Sequence, residues 1–183
     1  WLPTKSDRIE LKSRDGFLVV VLFWVVLSLF SVVPFIIATS DHMKFLDALF
    51  ISVSGFTTTG AGVLPTLHGL SHALLYYRQQ LQFFGGMGII ILAVAIMPII
   101  GVGGMQLYRA EVAGPMKDNK LTPRIMSTAK IICLVYLSLF ALCAIAYWYA
   151  GMTIFDAICE GFSTVSTGGF TIHDQSFAFY QNP

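Results

Sequence analysis

Long apolar runs separated by short polar segments divide the chain. Gly16 to Ala38 runs 23 positions without a charge. A hydrocarbon core of about 30 Å takes about 20 helical residues at about 1.5 Å each. This run predicts a first transmembrane helix, with Pro34 near its far end, where a kink or an early stop costs little. Gln79 to Tyr108 is uncharged over thirty positions, and Gln82 to Val102 is the expected second spanning helix. Pro98 and Gly101-Val102-Gly103-Gly104 are expected to bend or end it. Thr122-Pro123 reads as an N-cap followed by a first-turn proline. It would open a third helix reaching about Ala150, with Tyr147, Trp148 and Tyr149 placed where an aromatic belt is expected.

A shorter apolar segment lies between the first two spans. Phe45 to Phe56 predicts a helix of about 18 Å, roughly half a membrane. Such a helix can lie at membrane depth only if the chain enters and leaves by the same face. Irregular backbone at that depth is tolerated only where it is buried in protein or lines an aqueous cavity. Thr57-Thr58-Thr59-Gly60 would be that backbone.

The whole unit, residues 43–60, returns without a gap 109 positions later at residues 152–169. Met43 falls on Met152, Asp47 on Asp156, Ala48 on Ala157, Ser54 on Ser163, Thr58 on Thr167 and Gly60 on Gly169. Internal repeats fix architecture. The chain reads as an all-α membrane protein built of helix–pore loop–helix repeats, of the potassium-channel-like ion transporter type. Residues 1–104 form a first repeat with an N-terminal cytoplasmic segment. Residues 105–122 form a cytoplasmic linker. Residues 123–183 hold the first helix and pore loop of a second, truncated repeat. Trp1 at the start and Pro183 soon after the second loop suggest a piece of a longer protein.

Composition agrees. Of 183 residues, 56% are hydrophobic and 11% charged, with a mean hydropathy of +0.74; soluble domains carry about 25% charged residues. The net charge of +1 is uninformative about partners, but its distribution is not. Nine of 11 Lys and Arg lie in residues 1–15 and 105–130, leaving Lys44 and Arg78 elsewhere. By the positive-inside rule the nine face the cytoplasm and the connectors around both loops face outward. Arg78, at the start of the second span, is expected to snorkel to the interface. No nucleic-acid partner is expected. Membrane lipid is, and the basic loop could also meet lipid headgroups or a protein.

The repeated loop carries the candidate chemistry. A potassium ion entering a membrane must shed its water, and rings of backbone carbonyls can replace that shell. Thr57, Thr58, Thr59 and Gly60 and, in the second loop, Ser166, Thr167, Gly168 and Gly169 are the candidate filter residues. Glycine permits the unusual dihedrals, and hydroxyls can add oxygen ligands or tie the loop down. Each preceding half-helix turns its partly negative C-terminal end toward the pore, which favours a cation. Gly85-Gly86-Met87-Gly88 would let the second span pack closely on the pore helix.

These residues resemble the Trk/Ktr/HKT superfamily of potassium transporters. The resemblance rests on Val53 to Gly60, on Arg78-Gln79-Gln80-Leu81-Gln82 with Gly85 to Gly88, on Ser163 to Phe170, and on Gly114 to Arg124, which resembles a family linker. It implies four repeats around one pore in one chain, each with a key glycine, here Gly60 and Gly169. It implies K+ as the transported ion, with no covalently bound cofactor, and uptake driven by the membrane potential. A serine at the first filter glycine goes with sodium permeation in this superfamily, so Gly60 suggests potassium. It further implies a homodimer, a cytoplasmic nucleotide-binding regulatory ring of the TrkA type, and the bacterial inner membrane. Ile51 departs from the usual acidic residue of the first pore helix, whereas the second keeps Glu160.

Other candidates carry less. Asp47 and Asp156 sit early in each pore helix, where they favour the helix N-terminus or draw cations to the pore mouth. His42, His68, His72 and His173 fall on the outer side, spaced too loosely for a metal site. Cys133, Cys143 and Cys159 read as small buried or lipid-facing residues. Gly101 to Gly104 has no strand before it, which excludes a dinucleotide loop. Ser54 and Ser163 lack a histidine base in the membrane segments, which argues against an intramembrane hydrolase and for a non-enzyme. The remaining alternatives are the potassium-translocating subunit of an ATP-driven pump and a non-conducting scaffold.

Overall fold

A computed structural model describes residues 13–39, 43–100 and 121–180, with backbone alone for 13–17, 19, 93–100 and 121–126. Residues 1–12, His42, Gly101 to Gly104 and the expected linker up to Lys120 lie outside the described residues. Among the described residues six α-helices follow in order: α1 (Ser13–Phe30), α2 (Val32–Thr39), α3 (Phe45–Phe56), α4 (His72–Ile100), α5 (Leu121–Tyr149) and α6 (Ile154–Val165). A 3-10 turn at Ser176–Tyr180 closes the described chain. No strand occurs among the described residues.

The expected first span is two helices. Proline offers no N–H to a carbonyl one turn back, and with Pro34 that carbonyl is Phe30's, at the end of α1. The break falls on Ser31. Its hydroxyl donates to the Leu27 carbonyl at 2.7 Å, and its own carbonyl accepts from the Tyr77 hydroxyl of α4 at 3.2 Å. The kink is therefore fastened to the neighbouring helix. Residues 20–39 together remain long and apolar enough to cross a membrane, as do residues 127–149 of α5.

Helix α4 starts at His72, ten residues before the expected Gln82, and runs through Pro98 to Ile100. The early start puts Arg78, Gln79 and Gln82 inside the helix. Arg78 does not snorkel: it is buried, because the second pore loop packs over it. Helix α5 starts at Leu121, so Thr122 lies in its first turn and is not the cap.

The pore helices α3 and α6 are both 12 residues long, and both their ends are offset by 109 positions. Asp47 and Asp156 each lie in the first turn. Thr153 caps α6 by accepting from the Asp156 N–H at 3.1 Å, while Lys44 gives α3 no side-chain cap. Val32 and Phe35 of α2, Ala48, Ile51 and Phe56 of α3, Leu74 and Leu81 of α4 and Phe170 form one buried cluster. Phe83, Tyr136 and Phe162 join α4, α5 and α6 in another. Ile51, where an acidic residue is usual, is fully buried in the first cluster. The outer surfaces of α1 and α5 carry exposed Leu, Val and Ile.

Candidate selectivity filter

Both pore helices end in the same backbone turn. After α3, the Thr58 N–H bonds the Gly55 carbonyl at 3.0 Å and the Thr59 N–H bonds the Ser54 carbonyl at 2.9 Å. After α6, the Thr167 N–H bonds the Thr164 carbonyl at 3.0 Å and the Gly168 N–H bonds the Ser163 carbonyl at 2.8 Å. This paired closure is the Schellman motif, which requires a left-handed residue just past the helix. Here that residue is threonine: Thr58 has φ 54° and Thr167 φ 53°. A left-handed conformation costs an L-residue about 1–2 kcal/mol. Such strain persists only where the surroundings over-determine it, and it concentrates at functional sites.

Two residues further on, Gly60 and Gly169 again have positive φ, 74° and 85°. The hydroxyls tie the loops down. Thr57 Oγ1 donates to the Val53 carbonyl and lies 2.8 Å from Thr59 Oγ1. Ser166 Oγ donates to the Ser163 carbonyl at 3.1 Å, and Thr167 Oγ1 to the Ser166 carbonyl at 2.7 Å.

The two candidate filter loops touch. A Cβ placed on Gly60 would stand 1.9 Å from the Gly168 carbonyl oxygen, so no side chain fits there without moving backbone. A Cβ on Gly169 would meet nothing within 4 Å, so that residue borders open space. Gly85 brings α4 against the end of α3: a Cβ there would lie 2.0 Å from the Phe56 carbonyl oxygen. Gly86 sits beside Ser166 and the Tyr136 hydroxyl, which donates to the Phe83 carbonyl at 3.1 Å. The glycine run thus does pack α4 on a pore helix, and on the second loop as well.

The segment leaving the second loop is held by side chains that sequence reasoning had not assigned to it. Gln82 Oε1 accepts from the Phe170 N–H at 3.3 Å. Arg78 Nη1 donates to the Thr171 carbonyl at 3.0 Å, with its Cζ 4.0 Å above the Phe170 ring. Glu160 Oε1 accepts from the Ile172 N–H at 3.0 Å. The available signal was the run of glutamines at 79, 80 and 82 in an otherwise apolar span, since polar side chains at membrane depth face the protein interior.

Further out, Asp174 links the repeats, accepting from the Leu67 N–H at 2.7 Å and the Thr66 hydroxyl at 2.8 Å. His68, His72 and His173 line one cleft of about 650 Å³ with Asp156 and Asp174. Among the described residues no group of three or more His, Cys, Asp or Glu is placed to hold a metal.

The family model of TrkH, described as a cation transport protein, matches residues 1–183. The chain belongs to the TrkH family. It is 57% identical over all 183 residues to the Trk system potassium uptake protein TrkH of Salmonella typhimurium (strain LT2), of which it covers 38%. It is 56% identical, at the same coverage, to that of Escherichia coli K12. The crystal structure of the potassium transporter TrkH from Vibrio parahaemolyticus superimposes with a TM-score of 0.78 at 50% identity, over 98% of this chain and 35% of that one. The chain therefore spans under two fifths of the length of these TrkH relatives. The fold is that of the TrkH family, an all-α membrane protein of helix–pore loop–helix repeats. Its relatives are named as transporters, not as enzymes.

Proposed function

We propose that the chain forms one complete repeat and part of a second in a potassium-uptake transporter. Potassium passes along the backbone carbonyls of Thr57 to Gly60 and Ser166 to Gly169, driven inward by the membrane potential. The observation that carries this reading is the contact of Gly60 with Gly168 between two loops of matching backbone. Two glycines meet there, just past the C-terminal ends of two half-helices that each close through a left-handed threonine. Those ends bear partial negative charge, and inward carbonyls replace the water a cation loses. The relatives' printed names, Trk system potassium uptake protein, supply the ion.

The same reading places the chain in the bacterial inner membrane, surrounded by lipid, with residues 1–15 and 105–124 cytoplasmic and the loop connectors outward. It takes the functional unit as a homodimer that docks a nucleotide-binding TrkA-type ring through the basic linker 105–124.

The test uses the full-length protein in liposomes under an imposed inside-negative potential. Rubidium-86 uptake is followed with sodium or potassium as competitor. Uptake suppressed by potassium and insensitive to sodium is the expected result. Equal competition by both ions, or no uptake, overturns the reading.

A further inference from the structure

Three polar side chains converge on the backbone just beyond the second candidate filter, and two of them come from the other repeat. Gln82 and Arg78 project from α4 of the first repeat; Glu160 projects from α6 of the second. Gln82 is fully buried, Glu160 2% exposed and Arg78 6% exposed, so all three are committed to this contact. Their partners are three successive residues, Phe170, Thr171 and Ile172.

The peptide geometry gives the contact a direction. Every peptide bond described is trans. In a planar trans peptide the N–H and the C=O point opposite ways. The Phe170 N–H is held by Gln82, so the carbonyl of the same peptide, that of Gly169, points away from Gln82. The Gln82 side chain also fills the space beside Gly168: a Cβ there would lie 2.3 Å from the Gln82 Cδ. Gly169 borders open space. One glutamine thus packs behind two filter glycines and fixes the direction of the carbonyl at the second.

The next peptide but one, between Thr171 and Ile172, is gripped at both ends. Arg78 holds its oxygen and Glu160 its N–H. It cannot rotate without breaking both bonds. A carbonyl turned toward Arg78 is also withdrawn from the ion path. Among the described residues the first loop shows no such grip from its own pore helix, where Ile51 stands in place of Glu160.

We propose that Gln82 is a positioning residue that orients the Gly169 carbonyl toward the ion, and that Arg78 and Glu160 end the filter by locking the peptide after Thr171. Cation selectivity at the second loop is therefore set by a helix of the first repeat. This rests on the filter reading above.

The experiment measures the potassium-to-sodium permeability ratio of the full-length protein in liposomes. Gln82→Leu removes the acceptor at similar volume, and Gln82→Glu keeps one. Glu160→Leu and Glu160→Gln form the parallel pair for the Ile172 N–H. The leucine variants are expected to lose about tenfold in the ratio, the equivalent of one buried hydrogen bond of about 1.4 kcal/mol. The acceptor-retaining variants are expected to stay within about twofold of the unaltered protein, a difference of about 0.4 kcal/mol. A folded Gln82→Leu protein with an unchanged ratio overturns the proposal. If the leucine variants do not assemble, Gln82→Glu and Glu160→Gln decide it: a ratio retained supports the proposal, and a ratio lost in both refutes it. Unaltered protein that passes potassium and sodium alike refutes the filter reading itself, whatever the variants do.

Discussion

Arg78 and Glu160 hold opposite ends of one peptide group, the guanidinium at the Thr171 oxygen and the carboxyl at the Ile172 N–H, each at 3.0 Å. Neither residue is near the other in sequence, and each belongs to a different repeat. The peptide is the bridge between them. Removing one leaves one end of a buried peptide group unmatched, which costs about 1–3 kcal/mol. Arg78→Met and Glu160→Met should each lower the unfolding midpoint of the full-length protein in detergent by that order. Because both act on one peptide, the double variant should be less damaging than the sum, with a coupling of at least about 1 kcal/mol. Strictly additive losses in denaturant titrations would show that the two act independently.

The glycines of α4 are unequal, and the difference is measurable. A Cβ on Gly85 would lie 2.0 Å from the Phe56 carbonyl oxygen, a backbone atom that cannot move alone. On Gly88 it would lie 3.7 Å from the Trp24 ring, an ordinary contact. Gly85→Ala must push α4 off the end of α3, and overpacking of this kind costs about 1–3 kcal/mol. Gly88→Ala should be neutral or slightly stabilising, since alanine is the better helix former by about 1 kcal/mol. Thermal melting of both variants checks the pair; equal behaviour would remove the close approach from any account of the fold.

The repeat was legible because two pore helices of 12 residues keep their sequence offset to the residue. Hydropathy located the first and third spans, residues 20–39 and 127–149, because apolar length is what a bilayer selects. It misplaced the start of α4 because His72 to Arg78 looks interfacial, and only the packing of Phe170 over Arg78 draws that turn inside. The break at Ser31 was half visible in Pro34; its fastening by Tyr77 depends on a contact 46 positions away, which periodicity does not encode. The eight candidate filter residues were visible as a motif. Their cradle of Gln82, Arg78 and Glu160 was not, because nothing local in the sequence says which backbone a buried glutamine meets.

The two candidate filter glycines should respond differently to alanine. At Gly60 an added methyl meets both a positive φ of 74° and the Gly168 oxygen at 1.9 Å. At Gly169 it meets only a positive φ of 85°, with nothing within 4 Å. Gly169→Ala should cost the left-handed penalty of about 1–2 kcal/mol, with a folded protein and a modest loss of rubidium uptake. Gly60→Ala and Gly60→Ser should both abolish potassium-over-sodium preference, because the clash arises at Cβ whatever follows it. A selective Gly60→Ala protein beside an unselective Gly60→Ser would instead assign the effect to the serine hydroxyl.

The outer tie between the repeats should be sensitive to acid. The Leu67 N–H, and after it the Thr66 hydroxyl, hold the Asp174 carboxyl below its ordinary value, with His68 and His173 adding a smaller pull in the same direction. A depressed carboxyl in the folded state means that the unfolded chain binds the proton more readily. The stabilisation is therefore complete above the unfolded value of about 3.9 and is lost as pH falls through the lower folded value. Asp174 is fully exposed, so solvent screening keeps the effect small. At pH 7 Asp174→Asn should melt slightly below the unaltered protein, since an amide oxygen can still accept from Leu67 but carries no charge. The gap should start to close as pH falls below about 3.9 and vanish once pH has passed the lower folded value, where the aspartate too is neutral. Melting curves of both proteins at pH 7 and pH 3 decide it, and a gap of equal size at the two values would mean that the carboxylate charge contributes nothing to joining the outer loops.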